Sequence, residues 1–395
     1  MINLVNPSRY LIKKSLLILI FLLILISCHK NKRNNLTTII YFDIEVEKPQ
    51  MLSKICDTIT YLRLETKEES LLGQIQKMRF SDSGYYFLTG FNQEKVVGFD
   101  KTNGKHRVTI NKNGKGPGEY IYATELFVDP NNNFLEIYSR GTKRIINYNI
   151  DGNFNNDEKV DQYVNSFIKL NNNYYAAVEE DKNKKIIFFS GKNQFFSVLF
   201  TLPDYNINDI NNFSQFGDTV SFGCSINKYI YHLVKEESYI RYELNFGKYD
   251  IPNKLLDNNS YDYQRFKKVL AEHDCAYNLF STFESNRFLI TTVNFRKQRY
   301  LAVYCKETGN SSISNTIIDN INGVNQEMKI GWDFSPLALD NDELIFTLEP
   351  RKFKKDIHNQ IRDHPNEINI SLMNLLSTIE DSDNPLIMRC KLKNF

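Results

Sequence analysis

The chain is poor in the residues that usually mark a reactive centre: of 395 residues, six are histidine, six are cysteine and one is tryptophan. The cysteines are scattered and form no CxxC pair, which speaks against a zinc ribbon or a thioredoxin-type site. Cys56, Cys224, Cys275, Cys305 and Cys390 fall mostly in apolar runs and are expected as buried free thiols. His358 and His364, in KKDIHNQIRDH, are the one close histidine pair. Two ligands on one helical face need the spacing i, i+4, which this pair lacks, so the stretch reads as a solvated polar loop. No GxSxG elbow occurs. The Gly-rich stretch GKGPGEY (114–120) has glycine where a phosphate loop needs Ser or Thr after its lysine, and its glycines miss the GxGxxG spacing. No catalytic residue, metal ligand or cofactor is therefore read from the sequence. Charge of one sign is lacking too, with 49 basic against 47 acidic residues, and nucleic-acid binding needs a clustered basic face. Helical periodicity is scarce.

What is present begins with an address. Residues 1–27 carry Arg9, Lys13 and Lys14, then the apolar run Leu16 to Ile26, then Ser27 before Cys28. This is the layout of a secretory signal, and the run is shorter than the roughly 20 apolar residues that span a bilayer. Leu25-Ile26-Ser27-Cys28 resembles the lipobox of bacterial lipoproteins. That resemblance implies that Cys28 is the lipid-attachment residue and the new N-terminus, and two or more acyl chains give firm anchoring where one is marginal. Residues 28–52 are expected as a tether and leading strand. Surface-export signals of some related lipoproteins are acidic just after the cysteine, and this stretch is basic, so the resemblance implies a periplasm-facing location, with the positive charge near anionic head groups.

Short runs rich in aromatic and β-branched residues fill the rest. Thr58 to Leu64, Tyr85 to Thr89, Lys95 to Phe99, Phe134 to Tyr138, Arg144 to Tyr148, Phe288 to Val293, Tyr300 to Tyr304 and Glu343 to Leu348 are examples, separated by Asn-, Asp- and Gly-rich turns. An apolar run followed by a glycine turn recurs at Gly104, Gly152, Gly191, Gly247 and Gly309, at intervals of 48, 39, 56 and 62 residues. That is blade spacing in a stretched β-propeller. With a final repeat at the C-terminus, the expectation is an all-β, six-bladed β-propeller over residues 53–395. Two short helical inserts are expected at Ser260 to His273 and Ile368 to Ile379. The C-terminal strand in NPLIMRCKL should complete a blade with N-terminal sequence and close the ring.

The stretch ITYLRLE (59–65), the run Ser70-Leu-Leu-Gly-Gln-Ile75, GKGPGEY and the IDGNF turn (150–154) together resemble an uncharacterised family of six-bladed β-propeller lipoproteins of Gram-negative envelopes, itself similar to NHL-repeat propellers. The resemblance is specific from about Asp57 to Phe154 and returns in NPLIMRCKLK. It implies a propeller and an envelope location, and brings no reaction and no catalytic residues.

Three side chains are candidate ligand contacts. Glu119 and Tyr120 follow the Gly-rich loop, and loops between blades often face the funnel. Trp332, in Gly331-Trp-Asp-Phe-Ser-Pro336, either packs between blades or stacks on a sugar at the channel mouth. The expected function is a lipid-anchored envelope propeller acting as a binding or scaffold module, with a glycan, peptide or envelope protein at the central funnel. The alternative is a propeller enzyme, a lyase or glycoside-active protein with an axial metal or carboxylate site.

Overall fold

The computed structural model describes residues 36–395 apart from 46–47, 92, 132–133, 161, 171–172, 181–182, 191–195, 203–212, 257–262, 324, 326 and 364–368. The signal-like stretch, Cys28 and the basic tether lie outside the described residues, as do Gly191 and His364. The chain divides at Thr38, and every sheet lies in the unit 38–395.

Strands form where the sequence alternates apolar runs with turn chemistry. The loop after Lys95–Asp100 is an Asx turn: the Asp100 carboxylate accepts from the backbone N–H of Thr102 at 2.9 Å and of Asn103 at 3.1 Å. Gly104 closes it with φ +70°, where a Cβ would lie 1.9 Å from the Arg63 carbonyl oxygen, so no other residue fits. Asn149 and Gly152 repeat the arrangement one blade later.

Seven sheets result. Five blades are four-stranded hairpin stacks of the chain in order, over residues 75–110, 123–159, 163–202, 213–245 and 277–314. The sixth is a small sheet of Thr316–Ile318 and Glu327–Lys329 joined by Gln50–Met51, and the seventh runs Ala338–Asp340, Glu343–Leu348, Leu386–Leu392, Cys56–Leu62. Six blades were expected. The extra one was missed because its strands are two or three residues long, too short to show a strand pattern. The first strands of the four-stranded blades touch in succession: Ile75–Phe80, Ala123–Val128, Tyr163–Leu170, Phe213–Phe216, Tyr277–Glu284 and Ala338–Asp340, the last returning to Ile75–Phe80. These strands line the axis.

The ring closes where Leu386–Leu392 pairs antiparallel with Cys56–Leu62, placing an N-terminal strand on the outer edge of the last blade. The same N-terminal segment adds two further strands in parallel: Thr38–Tyr41 on Glu237–Asn245 of blade 4, and Gln50–Met51 on Thr316–Ile318 of blade 6. Three sheet edges that would otherwise offer unpaired backbone are thus covered by one stretch of chain.

Helices occupy the connections. Tyr263–Glu272 buries Phe266 and Leu270 against Ile226, Cys275 and Tyr277, and Ile370–Leu376 buries Leu372 and Leu376, both within the expected inserts. The expected polar loop around His358 is instead the helix Pro350–Asp363. Phe353 and Ile357, one turn apart, are buried with Leu344, Phe346 and Met388 of the last blade. A one-residue-per-turn apolar stripe suffices because that core is already dense. Cys56, Cys224, Cys275, Cys305 and Cys390 are free and buried.

Candidate axial site

The inner strands carry charge into the axis. Glu125, on the first strand of blade 2, is wholly buried. Its carboxylate meets Lys77 Nζ at 3.0 Å and Arg79 Nη2 at 2.8 Å, both from blade 1, and Ser166 Oγ of blade 3 at 2.8 Å. Burial pushes this carboxyl up, but the two cations and the hydrogen bonds outweigh it and hold the group below the ordinary carboxylate range. Glu284 closes the first strand of blade 5 in the same manner. It accepts from Tyr242 Oη at 2.7 Å and lies 2.9 Å from His232 Nε2, both on blade 4, and is also bonded by Ser221 and Lys306. Burial raises it, while His232 and Lys306 bring its pKa below the usual value. Each carboxylate is saturated by donors, most of them from neighbouring blades. They hold the inner strands together, and neither offers a free lone pair to a substrate.

Past these networks the inner strands open into a cavity of about 690 Å³. It is lined where those strands finish and turn outward: Arg79 to Asp82, Val128 and Pro130, Ile168, Phe213 to Gly217, Phe283 to Arg287, and Leu337 to Asp342. Phe80, Phe127, Phe213 and Phe216 supply apolar wall, and the charged lining is Arg79 and Arg287 against Asp82, Glu284, Asp340 and Asp342. Arg287 is tied at the rim to Asp342 at 3.2 Å, and Ser285 donates to the same carboxylate at 2.6 Å. Asp340 pairs with Lys101, yet burial still raises its carboxyl above the normal value. Such a volume with convergent polar groups on a rigid frame suits a small ligand or a side chain of a partner. Among the described residues no group of three or more His, Cys, Asp and Glu is arranged to hold a metal ion.

The three candidate contacts fall elsewhere. GKGPGEY joins the outermost strand of blade 1, His106–Ile110, to the innermost strand of blade 2, Ala123–Val128. It therefore enters the inner strand at the end opposite the one that lines the cavity. Tyr120 is fully buried, with its hydroxyl 2.9 Å from the carbonyl oxygens of Glu94 and Ile110. Glu119 turns its carboxylate back onto the Gly116 N–H at 2.7 Å. A Cβ on Gly114 would sit 2.0 Å from that carboxylate, and Gly118, at φ +70°, abuts the Phe154 ring. The loop is a clasp between two blades, and its polar groups are spent on itself. Trp332 is three-quarters exposed, so it does not pack between blades. It lines a separate cavity beside blade 5.

Glu125, Glu284 and their partners were not picked out from the sequence. A usable signal exists for Glu125: in ATELFV an acid stands inside a largely apolar strand, which demands a partner.

A closed succession of inner strands, hairpin blades around an axis and a final blade completed by the N-terminus define a β-propeller. Residues 37–391 match the family described as a domain of unknown function, DUF4934, and the chain belongs to that family. Nothing in the match extends to NHL-repeat propellers. A search of curated proteins finds no match. Among solved structures, a Bacteroides fragilis protein described as exported superposes with a TM-score of 0.69 at 17% identity, covering 91% of this chain and 100% of that one. A DUF4221 family member from Bacteroides vulgatus gives 0.50 at 10% identity, covering 86% and 98%. These likenesses concern the fold. Among the described residues no helix is long and apolar enough to cross a membrane.

Proposed function

We propose that this protein is a lipid-anchored, periplasm-facing envelope propeller that works as a binding or scaffold module, with a glycan, a peptide or a segment of an envelope protein held in the axial cavity. The observation that carries the reading is the cavity itself, about 690 Å³ at the finish of the inner strands, behind which the buried carboxylates are already saturated. The frame is rigid and the chemistry left exposed is that of recognition: five phenylalanines, two arginines and a rim of aspartates and asparagines. Export agrees with the signal-like N-terminus and with the description of the B. fragilis neighbour. The enzyme alternative draws its support from Asp340, a buried carboxyl with a raised pKa at the cavity wall.

Two substitutions test this. Cys28→Ser should move the protein from the membrane to the soluble fraction, and continued retention would sink the lipid anchor. Asn286 is exposed on the cavity lining, so Asn286→Trp should plug the mouth without unfolding the ring. Glycans or peptides selected on arrays by the wild type should lose binding to this variant, and equal binding would remove the axial cavity from the reading.

A further inference from the structure

A second cavity, of about 970 Å³, lies beside blade 5. Its walls are the helix Tyr263–Glu272, the turn between Phe288–Phe295 and Gln298–Cys305, and residues 329–332. Among the described residues five cations line it, Lys267, Lys268, Lys297, Arg299 and Lys329, against one carboxylate, Glu272. In a chain whose basic and acidic residues nearly balance, this is a concentrated positive field in a recess, which draws anions. Trp332 stands at its edge with most of its ring in solvent. The Arg299 guanidinium lies over the indole, 3.7 Å from the ring centroid, and so helps to fix its orientation.

The turn that supplies Lys297 is strained. Arg296 and Lys297 are its two central residues, with φ of 48° and 64°. Two-residue turns of this kind favour Asn-Gly, and side chains at positive φ persist where surrounding structure holds them, commonly at binding sites. Here Arg296 is clamped by Asp274 through bonds of 3.1 and 3.0 Å, which keeps Lys297 in the cavity lining. Amides complete the wall: Asn294 donates to Tyr277 Oη at 2.9 Å, and Asn315 donates to Gln298.

We infer that this cleft binds an anionic oligosaccharide, with a pyranose face stacked on Trp332, carboxylate or sulfate groups on Lys297, Arg299 and Lys329, and hydroxyls on the amides. A planar aromatic that is three-quarters exposed at a cleft edge suits a sugar ring, and the volume lies at the upper end for small-ligand pockets, enough for several rings. The site is distinct from the axial cavity and stands whether or not that cavity is used.

Trp332 is the chain's single tryptophan, so intrinsic fluorescence reports this site directly. The full folded chain is titrated with a galacturonate tetramer, a heparin tetrasaccharide, neutral cellotetraose and an oligo-dT. At least one acidic sugar should shift or quench the emission saturably, identifying carboxylate or sulfate as the preferred group. Cellotetraose and oligo-dT should bind at least tenfold more weakly. Lys297→Glu and Lys329→Glu change exposed side chains and should each weaken the acidic sugar by roughly tenfold, with the melting temperature unchanged. Silence of both acidic sugars, equal binding of the neutral sugar or the oligonucleotide, or undiminished affinity in both variants would overturn the site.

Discussion

Glu125 keeps its charge in the middle of a propeller because three groups around it, Lys77, Arg79 and Ser166, were brought there by the two flanking blades. Removing one partner of such a set leaves uncompensated charge behind, so Glu125→Ala should cost about 3–5 kcal/mol, read as a lower urea midpoint. The pH dependence follows from the direction of the shift. The folded carboxyl titrates below its unfolded value, so the unfolded chain binds the extra proton on acidification. The stabilising contribution is complete above the ordinary carboxylate range and is lost as pH falls through the folded pKa. Glu125→Gln should therefore be less stable than the wild type at pH 7 and lose less on going to pH 4. Parallel losses in the two proteins would show that the buried pair contributes nothing to acid sensitivity. Tyr120 and Glu119 illustrate the converse: residues that read as ligand contacts beside a Gly-rich loop are consumed by the loop's own closure.

At the level of elements, what was legible divides by position within the blade. Tyr85 to Thr89, Lys95 to Phe99, Phe134 to Tyr138, Arg144 to Tyr148 and Phe288 to Val293 are second and third strands, sandwiched by neighbouring blades and so continuously apolar. First strands such as Ile75–Phe80 carry Lys77 and Arg79 to the axis, and fourth strands such as Phe154–Lys159 are half solvated, so neither keeps a strand pattern. The glycine marks at Gly104, Gly152 and Gly309 fall between third and fourth strands, whereas Gly247 follows the fourth strand of blade 4. This explains the stretched period. The cleft near Trp332 left no local trace, because its cations come from a helix, a hairpin and a short outer sheet that meet only after folding. The closing strand was legible, and it yields a prediction. Met388 sits between Phe346 and Tyr61, paired on both sides, and proline in a central strand removes a ladder bond and clashes. Met388→Pro should abolish soluble folded protein on expression. Recovery of a monomer with the wild-type melting temperature would mean the ring does not depend on this seam.

On the scale of the whole molecule, the polar bridges cross blade boundaries: Glu125 joins blades 1, 2 and 3, Glu284 joins 4 and 5, and Asp340 with Lys101 joins 7 to 1. Blades coupled in this way should not melt singly. Urea unfolding followed by far-ultraviolet circular dichroism and by the near-ultraviolet tyrosine signal should give coincident single transitions, and separated midpoints would show blades unfolding independently. The seam between Cys56–Leu62 and Leu386–Leu392 also sets a clock. Thr60 and Arg389, bonded across it, are 329 residues apart in the chain. At roughly 5–20 residues per second of synthesis, the first strand must wait about a quarter of a minute to a minute for its partner. During that interval its edge is open to any other strand, so synthesis is the period in which this protein most needs a chaperone.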